Sequence, residues 1–148
     1  MSSAAEGNND NNTKILLVDD QPDILSTIKA ILERHGYHVK TFDDAAQALQ
    51  HLRSSTTAIT YDLVITDYRM PGGISGLDLA KAIRDHDVSS GKSRKTKILL
   101  ITAYESDTSY LEFSKALQAG LIEDIIHKPV SDDDLIAVIE KVFLHNNH

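Results

Sequence analysis

What most limits the folds open to this chain is a set of four short apolar runs, at residues 15–18, 63–66, 98–101 and 124–126, none of which alternates cleanly with polar residues. A strand with one face in water alternates. A strand that is apolar throughout has both faces covered, and sheets of such strands are parallel with helices on each side. A fifth run, residues 37–42, alternates more and suits a sheet edge.

Helical spacing fills the intervals. Ile24, Leu25, Ile28, Ile31 and Leu32 form one apolar stripe, with Pro22 suited to the first turn and Gly36 just past the end. Residues 45–52 and 77–83 give a second and a third helix. Tyr110, Leu111, Phe113, Ala116 and Leu117 give a fourth, which Gly120 is placed to stop. The fifth opens at Ser131, with Asp132, Asp133 and Asp134 favouring the positive end of the helix, and runs through Leu135, Val138, Ile139 and Val142. The order is β-α repeated five times. Right-handed crossovers then give a doubly wound, five-stranded parallel α/β sheet, for which the flavodoxin-like order 2-1-3-4-5 is expected. Polar stretches at 54–57 and 86–95 read as surface connections, and the basic stretch at 92–97 as a solvated loop.

Composition narrows the function. The formal charge of −7 gives no electrostatic footprint for nucleic acid. The chain has no cysteine, which removes disulfides, thiolate metal sites and cysteine nucleophiles together. No apolar run approaches the roughly 18 residues of a membrane span. The first dozen residues are rich in Asn, Ser and Asp without an apolar signal segment, so 1–12 read as a disordered leader and 13–146 as one domain of a cytoplasmic protein.

In the expected order, strands 1 and 3 flank the switch point, where ligands bind outside the carboxyl ends of the strands. Strand 1 ends in Asp19 and Asp20, strand 3 in Asp67, strand 4 in Thr102, and strand 5 is followed by Lys128 and Pro129. Three carboxylates in one small pocket repel unless compensated. Hard oxygen ligands without Cys or clustered His suit Mg²⁺. A divalent cation and the Lys128 ammonium balance the three charges. A cation, a Lys and a hydroxyl around one carboxylate form a site to take up a phosphoryl group, with the Asp oxygen attacking in line.

At these residues the sequence resembles the response regulator receiver family of two-component signalling. The motifs are ILLVDD (15–20), DLVITDYRMPGG (62–73), LLITA (99–103) and HKPV (127–130), each at a strand end. The resemblance covers residues 14 to about 144 and implies the following. Asp67 is the phosphoacceptor, Asp20 a direct Mg²⁺ ligand and Asp19 a ligand mostly through water. The backbone carbonyl of Arg69 completes the protein's share of the metal coordination. Thr102 hydrogen-bonds the phosphoryl group, Lys128 pairs with it, and the Lys128–Pro129 peptide is a candidate cis bond. The donor would be a sensor histidine kinase or a phosphotransfer protein. The output would be a change in the surface formed by helix 4, strand 5 and helix 5, acting on a downstream protein in trans as a monomer or an activation-dependent dimer. The chain would be a single-domain regulator that catalyses only its own phosphotransfer and dephosphorylation.

Some positions depart from the family pattern. The family often has an aromatic residue three before the Lys; here it is Ile125, so an aromatic-rotamer switch is not expected. The segments after Pro71 and from Gly120 to Lys128 are each one residue longer than usual. Arg69 and Tyr104 are large enough to shade a phosphoryl group from water, which implies a long-lived phosphoaspartate. His127 reads as a loop residue, and the other six His carry no assigned role. Tyr110, Ile136 and Phe143 are modest partner-contact candidates, for which core packing is the favoured explanation. Two alternatives stand beside this reading: a receiver-like docking module that takes no phosphate, and a haloacid-dehalogenase-type phosphatase. The phosphatase wants a second Asp two residues after the nucleophile, where this chain has Arg69.

Overall fold

The computed structural model describes residues 13–54, 61–70, 72–91, 95–103 and 107–145. The elements run β1 (Lys14–Val18), α1 (Pro22–Arg34), β2 (His38–Phe42), α2 (Ala45–Ser54), β3 (Leu63–Asp67), α3 (Gly76–Ser89), β4 (Lys97–Thr102), α4 (Asp107–Gln118), β5 (Asp124–His127) and α5 (Asp132–His145). All strand pairs are parallel, in the order β2-β1-β3-β4-β5. The doubly wound α/β fold expected from the apolar runs is therefore the fold observed, and the alternating segment β2 forms an edge strand which, among the described residues, pairs with β1 alone.

Side-chain alternation along each strand divides the core in two. Ile15 and Leu17 of β1, Leu63 and Ile65 of β3, and Leu99 and Ile101 of β4 face Ile28, Ile31 and Leu32 of α1 and Leu135, Ile139 and Val142 of α5. Leu16, Val18, Val64, Ile98 and Leu100 face the other way, onto Ala48 of α2, Leu79, Ala80 and Ile83 of α3, and Phe113 and Ala116 of α4. Every residue of β3 is buried, as a central strand with helices on both faces requires.

Four local readings need correction. Lys97 is not part of a solvated loop: it opens β4 and is 7% exposed. Residues 86–89 are not a connection but the last turn of α3, where Asp87 turns inward to accept bonds from the Thr96 N–H and hydroxyl. Ser54 closes α2, and His127 ends β5 as an exposed strand residue. The Asp87 bonds to Thr96 hold the last turn of α3, and a second set anchors its start. Ser75 and Asp78 form a reciprocal capping box, 3.1 Å and 3.0 Å, that anchors the first turn. The expected apolar faces of α4 and α5 also divide: Phe113 and Ala116 are buried, Ile136 and Phe143 lie against the core, and Tyr110 and Leu111 remain exposed. The leader and Tyr104 lie outside the described residues.

Candidate functional site

The sheet delivers the expected residues to one edge. Val18 pairs with Thr66 and Asp67 with Ile101, so the carboxyl ends of β1, β3 and β4 lie level. Beyond them Asp19, Asp20 and Asp67 each place a carboxylate oxygen within 4.8 Å of the other two. Thr102, at the end of β4, is 2% exposed, and its carbonyl accepts from the Lys128 N–H at 2.8 Å. That bond turns the chain after β5 back toward β4 and carries the Lys128 side chain over the acids. Lys128 Nζ lies 3.1 Å from Asp19 Oδ2 and 3.4 Å from Asp67 Oδ1. The Lys128–Pro129 peptide is cis. Asp20, Gln21, Asp67, Arg69, Thr102, Ala103 and Lys128 line an open cavity of about 240 Å³.

Electrostatics follow from the crowding. Burial pushes the Asp67 carboxyl up to about 6, the Asp19 carboxylate adds to the rise, and Lys128 pulls against both. Asp19 is 1% exposed. Its Oδ1 accepts from the Gln21 N–H at 2.9 Å, but its Oδ2 accepts no hydrogen bond; the Lys128 contact there is an ion pair without that alignment. A buried carboxylate oxygen without a hydrogen bond, inside an all-oxygen cluster of three acids, fits a hard divalent cation.

Two residues of the site were missed in the sequence. Gly76, the first residue of α3, donates its N–H to the Tyr68 carbonyl at 2.8 Å. A Cβ there would fall onto the Asp67 carbonyl oxygen and within 2.8 Å of Leu100 Cδ1. The available signal was the Ser75-Gly76-Leu77-Asp78 capping pattern, which places this glycine on the helix rather than in the preceding loop. The second is Gln21, whose Oε1 accepts from Lys128 Nζ at 3.0 Å; a polar residue beside Asp20 gives no sequence signal of that reach. Arg69 is exposed, its guanidinium 5.5 Å over the Tyr68 ring. Tyr68 itself stacks edge-on against Phe113 at 4.8 Å and donates its hydroxyl to Glu112 at 2.6 Å.

At its switch point the doubly wound sheet gathers three acids that could hold a metal ion, a buried Thr and an ammonium. The chain belongs to the response regulator receiver domain family, whose sequence profile matches residues 15–140. Among curated relatives it is 33% identical over 135 residues to the transcriptional regulatory protein CpxR of Escherichia coli, covering 91% of this chain and 50% of that protein. It is 37% identical over 124 residues to the uncharacterized transcriptional regulatory protein YrkP of Bacillus subtilis, covering 84% of this chain and 46% of that one. The chain thus spans about half the length of these relatives. Among solved structures it is similar to the chemotaxis protein CheY4 of Vibrio cholerae (TM-score 0.71, 27% identity, 89% of this chain and 99% of that one). It is also similar to the response regulator TrrA of Thermotoga maritima, solved in complex with Mg²⁺ and BeF (TM-score 0.68, 32% identity, 88% and 98%). The resemblance read from the four motifs is the family found. Among the described residues no helix is long and apolar enough to cross a membrane.

Proposed function

We propose that this receiver takes a phosphoryl group from a phosphohistidine donor, a sensor histidine kinase or a phosphotransfer protein, onto the Asp67 carboxylate. The observation that carries the reading is the convergence of Lys128 Nζ on both Asp67 Oδ1 and Asp19 Oδ2, beside the buried Thr102. A lone surface acid would need neither an ammonium at that distance nor a buried Thr lining the same cavity.

In the transfer, an Asp67 oxygen forms a bond to phosphorus as the bond from phosphorus to the donor breaks, and the donor leaves with the electron pair. Lys128 pairs with the negative charge on the transferring group, and Thr102 donates to one of its oxygens. Asp19, Asp20, Asp67 and the Arg69 carbonyl would hold Mg²⁺, as the complex of the Thermotoga relative supports. When bound, the ion supplies positive charge against the acids and the incoming oxyanion. Thr102 and Lys128 sit on adjacent chain ends joined by one backbone hydrogen bond. A movement of either on phosphorylation reaches the surface of α4, β5 and α5, where Tyr110 and Leu111 are exposed. That surface is the proposed contact with a downstream protein.

The test is incubation with acetyl phosphate and Mg²⁺, read by intact mass. A gain of one phosphoryl group, abolished by EDTA and by Asp67→Ala, is expected. No gain with either acetyl phosphate or a phosphohistidine donor would leave the domain a docking module.

A further inference from the structure

We infer that Gln21 is a positioning residue for phosphoryl transfer, a neutral third anchor that holds the Lys128 ammonium in place while its two charged partners change. This deepens the reading of Asp67 as acceptor and rests on it.

Gln21 breaks a local rule. It occupies the N-cap of α1, where Ser, Thr, Asp or Asn would bond the free N–H groups of the first turn, and its side chain caps nothing. Pro22 and Asp23 open that helix without its help. Residues that give up a local stabilisation are expected where a site uses them, and here the side chain turns to Lys128, its Oε1 accepting at 3.0 Å. The backbone of Gln21 is held as well, since its N–H donates to Asp19 Oδ1 at 2.9 Å. The anchor is thus fixed to the acid that flanks the same ammonium.

An ammonium has three N–H donors. The structure sets three oxygens around Lys128 Nζ: Gln21 Oε1, which accepts a hydrogen bond at 3.0 Å, and Asp19 Oδ2 and Asp67 Oδ1, which form ion pairs with it at 3.1 Å and 3.4 Å. The two carboxylates are the less constant partners. Asp67 loses its charge when it becomes an acyl phosphate, and Asp19 belongs to the acid cluster that fits a cation. Gln21 carries no charge, so neither event alters its attraction. With one N–H kept on Gln21, the other two are free to follow the negative charge onto the phosphoryl oxygens without the side chain swinging into solvent. A carboxylate at position 21 would hold the ammonium too, but it would add a fourth negative charge beside the path of an incoming phosphoryl dianion.

The experiment measures the initial rate of acetyl phosphate labelling at saturating Mg²⁺. In this reaction the Asp67 oxygen binds phosphorus and acetate leaves with the electron pair. The proteins compared are wild type, Gln21→Ala, Lys128→Ala and the double variant, with Mg²⁺ affinity measured by calorimetry. Gln21→Ala should label about fivefold more slowly, the size of one exposed hydrogen bond to a charged group. Its Mg²⁺ affinity and urea midpoint should stay at wild-type values. In the Lys128→Ala background the same substitution should change nothing, because the anchor then has nothing to hold. An equal slowing in both backgrounds, or none in the first, overturns the assignment while the acceptor reading stands. A wild type that gains no phosphoryl mass refutes the acceptor reading and this one with it. Gln21→Met, similar in length but without the oxygen, should match Gln21→Ala; labelling at the wild-type rate would likewise overturn the inference.

Discussion

Replacing Asp67 by Asn should make the metal-free protein more stable at neutral pH, against the usual outcome of altering a buried site residue. The Asp67 carboxyl rises from an ordinary 3.8 to about 6 through burial and the Asp19 charge. A group whose folded value is raised holds its proton more tightly in the folded state. Folding is then penalised once the pH passes the unfolded value, and the full penalty is reached above the folded one. At about 1.36 kcal/mol per pH unit, the gap from 3.8 to about 6 corresponds to about 3 kcal/mol at pH 7.5. At pH 5, where the folded-state group is mostly protonated, roughly half of that is present. Urea unfolding in EDTA at pH 7.5 and pH 5, wild type against Asp67→Asn, measures both values. The variant should gain about 3 kcal/mol at the higher pH and about 1.5 kcal/mol at the lower. Added Mg²⁺ should stabilise the wild type more than the variant, narrowing the gap. A variant less stable than wild type at pH 7.5, or a gain that does not shrink at pH 5, would refute the repulsion argument.

Two further substitutions test the frame around the site. Gly76→Ala should lower stability by about 2 kcal/mol in urea, because the added Cβ meets the Asp67 carbonyl and Leu100. The usual gain of a helical Gly→Ala exchange would be the contrary result. Arg84→Met, at the opposite end of the sheet, removes donors from the Thr96 and Leu121 carbonyls and one of the partners of Glu123, which keeps the Ile98 N–H and Lys95. Thermal and urea unfolding should show a loss of about 3 kcal/mol with the phosphorylation chemistry intact, and a loss under about 1 kcal/mol would mean the cluster relaxes into water.

The sheet and its acids were legible for a common reason. Strands buried on both faces read as unbroken apolar runs, and once their order is fixed, the residues just after 18, 66, 101 and 127 must share one edge. Lys97 escapes the sequence because a charged residue in a basic stretch signals solvent, and charge does not separate it from Lys14, which opens β1 in the same way but is exposed. The last turn of α3 is hidden in the sequence by its polar residues His86, Asp87 and Ser89. Asp87 is polar because it bonds the Thr96 backbone across the start of β4, a partner nine residues on that no helical period reveals. Gln21 could not be found at all from sequence. Its significance lies in the 3.0 Å bond to Lys128, more than a hundred residues away along the chain.

The central claim is that Asp67 takes the phosphoryl group. Its most direct test is borohydride reduction of acetyl phosphate-treated protein, which converts a phosphoaspartate to homoserine, followed by peptide mapping. Homoserine at position 67, with Asp19 and Asp20 recovered as aspartate, is the predicted result. Homoserine at 19 or 20, or at no aspartate in a protein that has gained phosphoryl mass, would contradict it.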